Sequence, residues 1–264
     1  VSPAPDDTRH DREVVDQFTK QVDTFVTAPH VNAEEPVRRF LALIRPTGNE
    51  RTLDVACGPG LLARSLAPAV GSFVGVDVTA AMIDKARQIA AEAKLTNTRF
   101  EVADATALPF PDGSFDLAVT RLALHHMADP GRVLAEMCRV LAPHGRLAVY
   151  DIASSELEGE ALEQNEIERL RDPSHTRALP LSELVRLLGK VRLEVDRSEA
   201  FPFRIDLEDW IQRAFQPPAA RDEVRRRLAT PGPRVFGGRP LDRDQRGQLG
   251  FETRHMMVVA SKTA

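Results

Sequence analysis

The chain has 264 residues, 42% hydrophobic and 28% charged, a composition that fits an ordinary soluble globular fold and needs no disulfide or metal staples. Its formal charge is −4, and its 35 Lys and Arg are scattered, so no positive field exists to gather nucleic acid. Two cysteines, Cys57 and Cys138, without a CxxC pattern, suggest neither a disulfide framework nor a zinc site; with no apolar run of roughly 18 residues, they predict a cytoplasmic protein that does not span a membrane.

Residues 1–13 are rich in Pro, Asp and Arg, lack the apolar stretch of a signal peptide, and are expected to be disordered. Over 14–45 apolar residues recur at helical spacing, through Val15, Phe18, Val22 and Phe25 and, past Pro36, Phe40, Leu41 and Ile44. The texture then changes to alternation. Residues 51–57 read as a buried strand ending in Gly58-Pro-Gly60, 61–66 as a helix start, and 73–77 as a second strand. Thr79 then caps a helix that turns Met82, Ala86, Ile89 and Ala90 inward. Residues 98–103 and 115–122 form a third and fourth strand, Asp129 caps a helix with Pro130 at its first position, and 146–151 is a fifth strand. Strands alternating with helices in this way specify βαβ crossovers, and so a doubly wound, Rossmann-like α/β fold with a mostly parallel, seven-stranded sheet.

Past residue 151 the rhythm weakens. It predicts helices at 157–171, 182–188 and 207–229, a strand at 191–195, a mobile Pro/Gly/Arg-rich loop at 231–250 and a closing strand at 250–261. One domain is expected over 14–264, with its core from 46–152, 181–200 and 250–262 and a helical cap from 14–45, 153–180 and 201–249.

Ligands of open α/β sheets sit at the carboxyl ends of the strands, where Asp54, Gly58, Gly60, Asp77 and Asp104 all fall. The glycines let backbone approach a ligand, with the amides of the next helix behind them. Gly58-Pro-Gly60-Leu-Leu-Ala63 also fits a dinucleotide fingerprint. Asp54, ahead of the first glycine, argues against that: it gains nothing beside a pyrophosphate but favours an ammonium. Asp54, Asp77 and Asp104 together suit the ammonium, ribose and adenine amino groups of S-adenosylmethionine.

The motifs Leu53-Asp-Val-Ala-Cys-Gly-Pro-Gly60, Val74-Gly-Val-Asp77, Ala103-Asp-Ala105, Leu108-Pro-Phe-Pro-Asp-Gly-Ser-Phe-Asp116 and Arg139-Val-Leu-Ala-Pro-His-Gly-Arg146 follow in order. Together they resemble class I methyltransferases of the ubiquinone/menaquinone-biosynthesis type, methyltransferase type 11. Arg169-Leu-Arg-Asp-Pro-Ser-His175 resembles a stretch in one bacterial branch of that family. The resemblance implies S-adenosylmethionine as cofactor and S-adenosylhomocysteine as product. It places Gly58 and its neighbours Cys57, Pro59 and Gly60 at the methionine end, Asp77 at the ribose, and Val78 and Met82 on the adenine face. Asp104 and the Ala105 amide then meet the adenine edge. Arg121 lies along the cofactor through its backbone, and Phe25 either covers the methionine or is a core aromatic.

Methyl transfer needs a nucleophile in line with the S–CH₃ bond, and a base only if the acceptor must lose a proton. Leu124-His-His-Met127 follows the fourth strand. By resemblance to phosphobase methyltransferases His126 is the expected base, with His125 adjacent; the alternative is that both imidazoles orient the loop through backbone hydrogen bonds. The fourth strand lacks the [DN]PP[YFW] sequence of DNA amino-methyltransferases, which leaves a small-molecule acceptor. Its pocket is expected from helices 14–30, 157–175 and 207–229, with His175, Arg204, Trp210 and Phe215 as candidates. A protein that uses the cofactor site for non-methylating chemistry or for binding alone is the alternative function.

Overall fold

Side chains two apart on a strand share a face of the sheet, and the central strands here are apolar on both. In the computed structural model, which describes residues 7–28, 32–229 and 241–263, Ala118 of β4 (Phe115–Arg121) packs into one core and its neighbours Leu117 and Val119 into another. β8 (Leu249–Lys262) alternates in the same way, with Met256 and Val258 on one side and Met257 and Val259 on the other. A sheet apolar on both faces must be covered on both.

Helices α2 (Glu34–Ile44), α3 (Ala63–Leu66) and α4 (Ala80–Glu92) supply Phe40, Ile44, Leu66 and Ile83 to one cover. Helices α5 (Pro130–Val140) and α7 (Leu181–Lys190) supply Leu134, Met137, Leu184 and Leu188 to the other. The remaining strands are β1 (Arg51–Val55), β2 (Ser72–Asp77), β3 (Thr98–Val102), β5 (Leu141–Ala153), β6 (Leu193–Asp206) and the two-residue β7 (Asp242–Arg243). Their order is β3-β2-β1-β4-β5-β8-β6, with β7 paired to β8 off this path. Pairing is parallel from β3 to β5 and antiparallel on both sides of β8. Thus the expected doubly wound α/β sheet is present, with β7 as an eighth strand. β1 and β4 are neighbours without being consecutive, so the winding reverses between them and a crevice opens at their carboxyl ends.

Several expected boundaries move. The region 14–45 is two helices, α1 (Asp7–Thr27) and α2, and α1 begins inside the tail expected to be disordered. Residues 1–6 lie outside the described residues, as do 231–240 of the mobile loop expected at 231–250. Helix 207–229 divides into α8 (Leu207–Gln212) and α9 (Pro218–Ala229), because Pro217 and Pro218 withhold the amide donors a continuous helix needs. β6 runs far past the expected 191–195, paired along its length with β8. Asp129 caps α5 as expected, accepting from the Arg132 amide at 3.0 Å. Thr79 precedes α4 without a side-chain cap bond; its amide instead donates to Asp77 Oδ1. No helix among the described residues is long and apolar enough to cross a membrane.

Gly75 of β2 has no room for a side chain: a Cβ there would lie 2.7 Å from the Phe100 ring and 2.9 Å from the Cys57 sulfur. Gly75→Ala should therefore destabilise the protein by about 1–3 kcal/mol, read as a lower midpoint in thermal unfolding. An unchanged midpoint would show that the ring and the turn beside it yield freely.

Candidate functional site

At the end of β1 the backbone turns through left-handed conformations at Ala56 (φ 56°), Gly58 (φ 53°) and Gly60 (φ 73°). For Ala56 that conformation is strained by roughly 1–3 kcal/mol. Asp77 ties this turn to the start of α4, because Oδ2 accepts from the Gly58 amide and Oδ1 from the Thr79 amide, each at 2.9 Å. Across the switch point Leu122, just past β4, is also left-handed (φ 52°) and donates its amide to the Tyr150 carbonyl at 2.7 Å.

Between these ends lies a cavity of about 310 Å³. Phe25, Asp54, Cys57, Gly58 and Pro59 line it, as do Asp77, Val78, Met82, Asp104, Ala105, Arg121 and His126. Gly60 does not. A Cβ on it would meet the Ala86 side chain at 3.0 Å, so its part is to let the turn pack against α4. Sequence reasoning missed Ala56, Leu122 and Phe18. Phe18 lies edge-on to Phe25 (5.5 Å) and to His126 (4.9 Å). Its spacing of seven from Phe25, two helical turns, was the available signal.

Asp54 is buried, and neither carboxylate oxygen has a hydrogen-bond partner among the described residues. Burial drives its pKa up to about 8; the buried Arg121 guanidinium opposes the rise and the Asp77 charge adds to it. Burial also raises Asp77, against the two amides that it accepts from. Asp104 accepts from the Thr106 amide and hydroxyl through Oδ1 (2.7 and 2.8 Å), which leaves Oδ2 available to a ligand.

A second cavity, of about 80 Å³, shares Phe25, Leu122 and His126 with the first and adds His125. The two histidines differ. His125 Nδ1 lies 2.5 Å from Asp151 Oδ1, which also accepts from the Ile152 amide. Burial works against a charged His125, but the Asp151 carboxylate outweighs it and raises the pKa. Burial would likewise raise Asp151, yet His125 and the hydrogen bonds hold it below its usual value. His126 Nδ1 faces the Ser174 carbonyl and hydroxyl, both at 3.1 Å, while that hydroxyl donates to Asp172 at 2.6 Å. A carbonyl only accepts, so Nδ1 carries the proton and Nε2 is an acceptor. Burial and then the neighbouring His125 push His126 down to about 3. Of the two imidazoles, it is His125 that pairs with a carboxylate and has the raised pKa.

The segment after α6 (Glu158–Arg171) fixes this turn. The Thr176 and Arg177 amides donate to the His125 carbonyl (2.8 and 3.0 Å), and the Thr176 hydroxyl donates to the His126 carbonyl (3.0 Å). Of the acceptor-pocket candidates, Trp210 lines the second cavity. His175 is buried outside it and donates from Nε2 to Asn165 Oδ1 at 2.8 Å. Arg204 pairs with Asp242 and Phe215 is 56% exposed; neither lines either cavity. Glu168, Arg171 and Asp172 do, and were missed.

Residues 46–188 match a protein family described as a methyltransferase domain. The chain is 36% identical over 169 residues to the uncharacterized methyltransferase YcgJ of Bacillus subtilis, a stretch covering 63% of this chain and 66% of that relative. It is 43% identical over 117 residues to a demethylmenaquinone methyltransferase of Thermus thermophilus, covering 43% of this chain and 52% of the relative. The crystal structure of YcgJ superposes with a TM-score of 0.81 at 28% identity, over 88% of this chain and 99% of that one. A putative methyltransferase from Bacillus halodurans does so with a TM-score of 0.82 at 25% identity, over 87% and 100%.

An acid whose pKa is raised by folding loses stability as pH climbs above its unfolded value of about 3.9. Asp54→Asn keeps the shape and removes the charge. The ligand-free variant should be more stable than the parent at pH 8, on the order of 2 kcal/mol, with the advantage shrinking toward pH 5. Urea unfolding at both pH values measures it, and equal stability at pH 8 would mean that Asp54 ionises there without cost.

Proposed function

The chain belongs to the methyltransferase-domain family of S-adenosylmethionine-dependent enzymes, and from that premise we propose that it methylates a small molecule seated in the second cavity, with His125 as the base. S-adenosylmethionine supplies the methyl group, carried on a sulfonium.

The residues of the first cavity fit this donor. Asp54, with no partner for its carboxyl, takes the ammonium; Cys57, Gly58 and Pro59 flank the methionine end, with Gly60 shaping the turn. Asp77, oriented by two amides, accepts from the ribose hydroxyls. Val78 and Met82 bracket the adenine, with Asp104 and the Ala105 amide at its edge. Arg121 compensates Asp54, and Phe25 screens the boundary between the two cavities.

The observation that carries the proposal is that His125, paired with Asp151, lines a cavity that shares a wall with the first. Asp151 holds the proton on Nδ1, so Nε2 has the lone pair that collects a proton from the acceptor. An acceptor that has to be deprotonated is what gives such a pair a purpose. The small second cavity and the charge of −4 favour a small molecule over a nucleic acid. The Thermus relative, by its name, acts on demethylmenaquinone. A cytoplasmic location suits the two free cysteines.

Two measurements test the reading. In calorimetry S-adenosylhomocysteine should bind, and Asp77→Ala should weaken it about 30- to 1000-fold; unchanged affinity in a folded variant sinks the assignment of the first cavity. For any acceptor that turns over, the acid limb of kcat should lie above about pH 6.5, since protonated His125 is inactive and its pKa is raised. Asp151→Asn should shift that limb to lower pH and reduce kcat roughly 10²- to 10⁴-fold, whereas His126→Gln should leave the limb in place. A limb unmoved by Asp151→Asn removes His125 from the base role.

A further inference from the structure

The wall of the second cavity furthest along α6 alternates in charge. Glu168, Arg171 and Asp172 all line it. Arg171 Nε donates to Glu168 Oε2 at 3.3 Å, its Nη2 stands 3.6 Å from Asp172 Oδ2, and its guanidinium lies over the Trp210 ring, 4.7 Å from the centroid. The other cation, Arg213, is committed: it donates to both Asp209 oxygens (2.7 and 2.6 Å) and to the Thr24 carbonyl (2.9 Å).

This alternation discriminates by charge. An anion drawn to Arg171 would meet Glu168 and Asp172, and a cation drawn to either carboxylate would meet Arg171. A hydroxyl both donates and accepts, so neighbouring hydroxyls pair with carboxylate and guanidinium in turn. Trp210 and Phe25 add apolar faces against which the C–H side of a ring packs. Two further residues of the cavity, on other elements, carry unsatisfied polar atoms. Gln21 Nε2 on α1 and Thr253 Oγ1 on β8 have no hydrogen-bond partner among the described residues, and the two residues are only 4% and 2% exposed.

We infer that the second cavity takes a neutral, polyhydroxylated part of the acceptor, the chemistry that a glycosyl ring presents, and that Glu168 and Arg171 select for it. The inference rests on the reading of this cavity as the acceptor site.

The chain contains one tryptophan, and it is Trp210, so intrinsic fluorescence reports on this cavity alone. Protein saturated with S-adenosylhomocysteine is titrated with a panel of methyl hexosides and methyl 6-deoxyhexosides, with glucose 6-phosphate as anionic probe and glucosamine as cationic probe. At least one neutral glycoside should give a saturable change, with affinity about tenfold or more above both charged probes. Glu168→Gln should weaken that glycoside by about tenfold and narrow its lead over the phosphate ester, because Arg171 then has one counter-charge fewer. Tighter binding of either charged probe, no saturable response from any neutral glycoside, or an unchanged Glu168→Gln titration overturns the inference. Should S-adenosylhomocysteine itself fail to bind in calorimetry, it is the underlying methyltransferase reading that falls.

Discussion

The central strands β1, β4, β5 and β8 are buried on both faces, which leaves their ends as the places where they meet anything other than core. The reversal of winding between β1 and β4 then separates two of those ends and gives a ligand room to enter. Each chemically notable group follows from this. Asp54, Asp77 and Asp104 end or follow β1, β2 and β3, the two histidines follow β4, and Asp151 stands near the end of β5. The left-handed turns at Ala56 and Leu122 mark the places where the chain must leave the sheet abruptly to keep the crevice open.

Within that crevice two buried carboxyls meet opposite fates. Asp151 has an imidazole and an amide on one oxygen and stays ionised. Asp54, at comparable depth, has no hydrogen bond and only the nearby Arg121 charge to offset its desolvation, so its proton stays on to about pH 8. The same residue type thus serves as a fixed counter-ion in one place and as a latent charge in the other, and environment alone makes the difference.

The parallel half of the fold was legible because periodicity and turn chemistry are local. The strand-end acids, the Asp129 cap and the two glycines could be read within a few residues of each other. The second half was harder for physical reasons. β6 is stabilised by pairing with β8, some fifty residues away, and not by its own pattern. Neighbouring histidines look alike in a sequence; what separates His125 from His126 is a carboxylate on β5 and a serine beyond α6, contacts that only the folded chain brings together. Likewise Glu168 and Arg171 read as an ordinary charged helix face until α6 is seen to turn that face onto a cavity.

The hydrogen bonds from Thr176 and Arg177 to the His125 carbonyl, and from His126 to Ser174, join the floor of one cavity to the wall of the other through six consecutive residues, 172–177. Drift in α6 can repaint the wall of the second cavity, since side chains there hang from a regular helix. Drift in 172–177 cannot, because the same backbone sets how the histidines stand. The chain is therefore free to vary one turn upstream of Asp172 and held fast immediately downstream, a boundary between diversification and constraint that runs through a single peptide segment.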